Sequence, residues 1–140
     1  MSVGRICTRI VELADPDESV RSVASRMVGR RVGTLVVADA SRRPIGVVTD
    51  RDLVARVLAE GKSGDETTVI EVMTRAPSTV DEETPIERAL ALMRTHAVRR
   101  LPVVGSDGVL IGLVSLDDIL SLLAEEFREI GTLIEKEMPK

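Results

Sequence analysis

At 140 residues, 44% of them hydrophobic, the chain has apolar material for one core, or for two small units that share one. A single aromatic residue, Phe127, and a net charge of −4 leave neither the stacking platform nor the general basic attraction that nucleic-acid and anionic-membrane binding need, so neither partner is expected. One cysteine, Cys7, and one histidine, His96, exclude an intrachain disulfide and an all-protein Cys/His zinc site. No apolar run approaches the ~18 residues of a spanning helix and the N-terminus has no signal-like hydrophobic region, so a cytoplasmic protein without a metal is expected.

In chain order, a short extended segment at 10–14 leads into a helical pattern in which Val20, Val23, Ala24, Met27 and Val28 recur at i, i+3, i+4, i+7 spacing. Two β-rich runs follow, 33–38 and 45–48, joined by turn material at 39–44, and a second helix covers 50–59. After a Gly-rich polar stretch the order starts again. An extended segment at 78–80 precedes a helix carrying Ile86, Ala89, Leu90 and Met93, whose start is marked by a capping hydroxyl at Thr84, Pro85 at the first helical position and a glutamate, Glu87. Two more β-rich runs, 101–104 and 110–114, flank Gly105-Ser106-Asp107-Gly108, and a last helix begins at Leu116.

The recurrence is literal. Shifted by 66 positions, residues 8–53 lie over 74–119 without a gap, matching Thr8-Arg9 with Thr74-Arg75, Met27 with Met93, Ile45-Gly46 with Ile111-Gly112 and Asp52 with Asp118. Two copies of a β-α-β-β-α unit predict an α+β fold with pseudo-two-fold symmetry, and any cleft between them should occur twice. The divisions expected are 1–60 for the first repeat, 61–69 for a solvated linker, 70–126 for the second repeat and 127–140 for a helical extension or tail. In that last helix Leu116, Leu120, Leu123, Phe127, Ile130 and Ile134 are spaced 4, 3, 4, 3, 4. One small unit cannot cover so long a seam, so its distal part is expected to dock on another chain, most simply in a homodimer.

The chemistry sits where strand meets helix. Gly46-Val47-Val48-Thr49-Asp50-Arg51-Asp52 and Gly112-Leu113-Val114-Ser115-Leu116-Asp117-Asp118 share the pattern Gly-x-x-Thr/Ser-x-x-Asp. Either copy seen alone reads as a capping box, in which a hydroxyl and an acid three residues on satisfy the free N–H groups of a helix start. The two copies differ at one position, where Arg51 of the first is matched by Asp117 of the second. At about 4 Å a unit charge of either sign is worth roughly 4 kcal/mol at an effective dielectric of 20, enough to make two sites unequal.

The unit order, the Leu101-Pro102-Val103-Val104 strand, the Gly-Val-Val-Thr-Asp-Arg-Asp-Leu segment and the duplication together resemble a pair of CBS (cystathionine-β-synthase) domains, a Bateman module. The resemblance covers the chain from about Arg5 to about Glu126. It implies a regulatory module that binds adenine nucleotides (AMP, ADP or ATP) or S-adenosylmethionine in two clefts between the repeats, as a regulatory ligand rather than a catalytic cofactor. In the family the motif's hydroxyl and acid face the cleft and the acid holds the ribose. Carried over, Thr49 and Asp52 serve one cleft and Ser115 and Asp118 the other. The adenine pocket maps onto Thr8, Ile10, Val32 and Gly33 for one cleft and Thr74, Ser78 and Val98 for the other, with base contacts from one repeat combined with ribose contacts from its neighbour. Arg51, Arg99 and Arg100 are the expected phosphate ligands, and the Thr49/Arg51/Asp52 cleft the better phosphate site.

No effector domain is recognisable, so a signal must pass to an effector protein whose identity the sequence does not carry. An enzyme is not expected: His96 has no counterpart in the other repeat, where Arg30 stands, and no nucleophile pair is recognisable. The alternative to a sensor is a ligand-free scaffold that assembles through the C-terminal seam.

Overall fold

The computed structural model describes residues 1–75 and 78–139. In repeat 1, strand β1 (Leu13–Ala14) precedes helix α1 (Val20–Arg30), and β2 (Thr34–Ala38) and β3 (Pro44–Thr49) form an antiparallel hairpin. Helix α2 (Asp50–Leu53) then continues through a π-helical stretch, Val54–Leu58. A short helix α3 (Val69–Val72) and strand β4 (Thr74–Arg75) come next. Repeat 2 comprises β5 (Val80–Asp81), α4 (Ile86–His96), β6 (Arg100–Val104), β7 (Leu110–Ser115) and α5 (Leu116–Glu137). The expected β-α-β-β-α order is therefore present twice, and β1–β2 and β5–β6 are the parallel pairs of the two sheets.

Each sheet packs its helices over a separate aliphatic core. Val23, Met27, Leu35, Val37 and Val48 anchor the first, and Ala89, Met93, Leu101, Val103, Val114 and Ile119 anchor the second. These are the residues that the period of 3.6 in the helices and the continuous apolar runs of the strands single out. At about 25 cal/mol per Å² of apolar surface withdrawn from water, such aliphatic side chains each contribute on the order of 1.5–3 kcal/mol.

The cores are completed by exchange. Val69, Val72 and Met73, in the opening segment of the second repeat, are buried in the core of the first. Val3, at the N-terminus, is fully buried in the core of the second, with Ile6 and Cys7 packed beside it. The hydrogen bonds obey the same shift of 66 that relates the sequences. Val3 N–H donates to Thr84 O at 2.9 Å as Val69 N–H donates to Glu18 O at 2.9 Å, and Gly4 N–H donates to Glu82 O as Ile70 N–H donates to Pro16 O. The structural repeat thus reaches further toward the N-terminus than the sequence repeat, because those positions conserve backbone pairing more than side chains. Strand β4 joins the first sheet, with Val47 opposite Thr74, and Thr8 makes the equivalent bridge to Leu113 in the second.

Segment 61–69, expected as a solvated linker, is docked: Thr67 and Val69 are buried, and Val20 N–H donates to Thr67 O at 2.9 Å. Its Gly-rich composition marks only the exposed stretch before Thr67. Nor does a boundary fall at 127, since α5 runs unbroken through it. The expected cap at Thr84 is also different. Pro85 is the N-cap of α4, and the Thr84 hydroxyl accepts from Asp81 N–H at 3.1 Å and donates to Asp81 Oδ1 at 3.0 Å, closing the preceding turn.

Gly46 and Gly112 make the exchange sterically feasible. A Cβ on Gly112 would lie 2.8 Å from Thr8 O and 3.1 Å from the Cys7 sulfur, and one on Gly46 would lie 2.8 Å from Thr74 O. The same docking half-buries Cys7, and desolvation pushes its thiol pKa up, partly opposed by Arg9. Gly112→Ala is expected to force the N-terminal segment outward and to destabilise the fold by about 1–3 kcal/mol, the scale of overpacking. Urea denaturation followed by circular dichroism measures it, and an unchanged midpoint would contradict the role of the close approach.

Candidate functional site: a cleft between the repeats

The two Gly-x-x-Thr/Ser-x-x-Asp segments form capping boxes. Thr49 Oγ1 accepts from Asp52 N–H at 3.1 Å, and Asp52 Oδ2 accepts from Thr49 N–H at 2.9 Å. Ser115 and Asp118 repeat the arrangement at 3.0 and 2.9 Å. The box does not exhaust these groups. A carboxylate offers about four acceptor positions and the threonine hydroxyl keeps its proton free to donate, so a cap can also face a ligand.

The Thr49/Asp52 box lies on one wall of a cavity of about 560 Å³ between the repeats. Repeat 1 supplies Gly33, Thr34, Val47, Asp50 and Arg51 to the same wall, extended by Thr74 and Arg75 of β4, which pairs with β3, while Ser78, Val98, Arg99, Arg100 and Leu101 come from the other side. Backbone geometry puts them there. Helices α1 and α4 both end in a left-handed residue, Arg31 (φ 54°) and Ala97 (φ 53°), an uncommon conformation for a side-chain-bearing residue. Val32 N–H and Val98 N–H then donate to Met27 O and Met93 O, each at 3.0 Å. This Schellman-type reversal turns the chain directly into β2 and β6 and delivers Gly33 and Arg99 to the cleft. Neither C-cap is a glycine, so no stop signal announces the reversal.

The cleft is locally basic in an acidic chain. Four arginines line it against two aspartates, and among the described residues Arg51, Arg75 and Arg100 pair with no carboxylate. Arg99 does pair, at 3.6 Å from Asp117, but both side chains are about 70% exposed (68% and 70%), where an ion pair holds little and exchanges readily. The wall also carries apolar surface at Val47, Val98 and Leu101.

The CBS domain model matches residues 3–59 and 69–125. An uncharacterized protein of Methanopyrus kandleri is 36% identical over 140 residues, covering 100% of this chain and 69% of that protein. A CBS domain protein of Pyrobaculum aerophilum, solved as a complex with AMP, superposes with a TM-score of 0.77 at 28% identity, covering 84% of this chain and 89% of that one. A CBS domain pair solved with 5′-methylthioadenosine and S-adenosyl-L-methionine gives 0.81 at 25% identity, covering 90% and 98%. The chain belongs to the CBS-domain family.

In this CBS pair the expected site residues divide into two groups. Thr49, Arg51, Asp52, Gly33, Thr74, Ser78, Val98, Arg99 and Arg100 all line the one cavity, which brings Thr49 and Asp52 of repeat 1 together with Val98, Arg99 and Arg100 of repeat 2. Gly33, assigned by sequence to the other cleft, sits on this wall, where a Cβ would meet the Asp50 carboxylate at 3.0 Å. Residues 76 and 77, within the 74–78 segment, lie outside the described residues. Ser115, Asp118, Thr8, Ile10 and Val32 do not line this cavity. Ser115 and Asp118 cap α5, Thr8 N–H and O pair with Leu113, Ile10 is 90% exposed, and Val32 packs on the first core.

Several lining residues are not assigned to a cleft by the sequence, among them Thr34, Asp50 and His96. Asp50 and His96 are exposed, at the start of α2 and the end of α4. Thr34 is different: it is 7% exposed, and its Oγ1 is buried without a hydrogen-bond partner. Its position as the first residue of an apolar strand carried no sign of that, because the signal is an unmade bond. An orphaned buried hydroxyl costs about 1–3 kcal/mol.

Thr34→Val is expected to raise the stability of the unliganded protein by about 1 kcal/mol, since the orphan hydroxyl is removed at constant shape. Asp52→Ala should lower it by about 1 kcal/mol, the usual scale of a lost cap. Chemical denaturation of both variants tests the pair, and the same sign for both would contradict the assignment.

Proposed function

We propose that this CBS pair is a regulatory module that binds an adenosyl ligand in the cavity between the repeats and passes the signal to another polypeptide. The observation that carries this reading is that an oriented hydroxyl–carboxylate pair, Thr49 and Asp52, shares one cleft with three arginines, Arg51, Arg75 and Arg100, that pair with no carboxylate among the described residues. Asp52 accepts hydrogen bonds from vicinal ribose hydroxyls, which suits an acceptor-only group. Apolar surface at Val47, Val98 and Leu101 receives the base without aromatic stacking, and the arginines receive phosphate. The similar CBS proteins solved with AMP, and with S-adenosyl-L-methionine and 5′-methylthioadenosine, support the ligand class.

Between phosphorylated and phosphate-free ligands the cleft favours the former. Among the described residues Arg51, Arg75 and Arg100 pair with no carboxylate, and a phosphate supplies a partner. A ligand bridging both walls stabilises the relative placement of the repeats that it binds best, and the shift it can drive is limited by its differential affinity for the two states.

Isothermal titration with AMP, ADP, ATP and S-adenosylmethionine tests the reading. A phosphorylated adenosine is expected to bind, Asp52→Ala to abolish its binding, and Arg51→Asp to weaken it at least tenfold, or about 1.4 kcal/mol. S-Adenosylmethionine, which lacks phosphate, should respond to Asp52→Ala but not to Arg51→Asp. No heat with any of the four, from a protein that melts cooperatively, would replace this reading with that of a ligand-free scaffold.

A further inference from the structure

In both repeats one backbone hydrogen bond ties the residue before the hairpin to the helix after it. Asp50 N–H donates to Gly33 O at 3.0 Å in repeat 1, and Leu116 N–H donates to Arg99 O at 2.8 Å in repeat 2. Each bond sets that residue beside the first turn of the following helix, α2 or α5. The two positions are filled differently. Gly33 carries no side chain, and a Cβ there would stand 3.0 Å from the Asp50 carboxylate. Repeat 2 has Leu116 in place of that acid, and the position before its hairpin carries an arginine.

Arg99 therefore stands between two anions. It lines the cavity between the repeats, and its Nη2 lies 3.6 Å from Oδ1 of Asp117 in the first turn of α5. Asp117 does not itself line that cavity. Of the four arginines of the cleft, Arg99 alone is paired with a carboxylate among the described residues. The pair is exposed, so it holds loosely, and a phosphate, which a guanidinium grips through two parallel N–H bonds, can take the arginine from it. Sharing does not avoid the contest. A phosphate and a carboxylate on one guanidinium sit close enough to repel each other, so the phosphate binds less well while Asp117 stays. Repeat 1 has no such restraint, since position 33 carries no side chain to pair with Arg51.

We propose that Asp117 is a positioning residue that sets the affinity of the cleft for phosphate: it holds Arg99 at the start of α5, and a phosphorylated ligand must part the pair to use that arginine. The carboxylate that stands in repeat 2 where repeat 1 has Arg51 thus acts, through Arg99, on the cleft that Arg51 lines. Affinity for a phosphate-free adenosyl ligand is untouched by it. This inference rests on the cleft binding an adenosyl ligand, as proposed above.

A double-mutant cycle read by isothermal titration tests it, with AMP and adenosine as probes on the wild type, Asp117→Asn, Arg99→Gln and the double variant. Asp117 is exposed and asparagine keeps its size, so the variant should fold with the wild-type circular dichroism. Asp117→Asn is expected to bind AMP about two- to fivefold more tightly, the range of an exposed ion pair, and adenosine with unchanged affinity. In the Arg99→Gln background the same substitution should add nothing for AMP. An AMP affinity that Asp117→Asn leaves unchanged or weakens would overturn the proposal and leave the ligand class standing. An equal gain with and without Arg99 would also overturn it, because Asp117 would then act as a general field. A wild type that binds neither probe would overturn the adenosyl reading and this inference together.

Discussion

The rest of the structure depends on the close approach of each repeat's opening segment to the β-hairpin of the other. Gly46 and Gly112 allow it, because the backbone of Thr74 and Thr8 passes where a Cβ would stand. Without those contacts each sheet would lose its last pairing, Val47 with Thr74 and Leu113 with Thr8, and each core would lose a buried valine, Val69 or Val3. Units of about 60 residues are marginal alone. The exchange makes them one folding unit, since neither core is complete within a contiguous stretch of chain. It also builds the cleft: β4 brings Thr74 and Arg75 beside β3, and the same strand ends in Thr49.

Glycine, hydroxyl and acid in the Gly-x-x-Thr/Ser-x-x-Asp segment therefore act on one strand–helix junction from three sides. Glycine admits the exchanged strand, the hydroxyl caps the following helix, and the acid locks the hydroxyl's own backbone. Because Thr49 and Asp52 are held by each other rather than by distant groups, their geometry is set before any ligand arrives. Preorganisation of this kind spares a binding site the entropy of ordering its side chains. Thr34 contributes the opposite effect, a buried hydroxyl left unpaired in the folded chain. A fold that tolerates one unmade bond beside one fully made network has put its local instability at the cleft, not in its core.

Period and repetition made most of the architecture readable. The helix faces of α1 and α4, the hairpins β2–β3 and β6–β7, and both capping boxes follow from patterns that act within a dozen residues. The exchange was not readable, because Val3 and Val69 sit in segments that otherwise share little, and backbone hydrogen bonds leave no mark on side-chain identity. For the same reason the polar stretch before Val69 looked like a linker, although the carbonyl of Thr67 accepts the first hydrogen bond of α1. In the cleft, the residues that sequence could place were those with a motif to carry them. Gly33 went to the wrong wall, because a left-handed turn at Arg31, which no glycine announces, decides where β2 begins.

The departures from two-fold symmetry are concerted. Where repeat 1 has Gly33 and Arg51, repeat 2 has Arg99 and Asp117, and the second pair closes on itself at 3.6 Å. Arg51 thus has no carboxylate partner among the described residues, whereas Arg99 is compensated by Asp117, although both repeats keep the hydroxyl and the acid. A duplicated pair with identical halves would present identical clefts, and nothing would distinguish one ligand site from its mirror. Arg51 and Asp117 remove that degeneracy in the cleft. The cost is small, since the substitutions that break the symmetry are exposed and those that maintain the fold, Gly46 and Gly112, Val3 and Val69, are not.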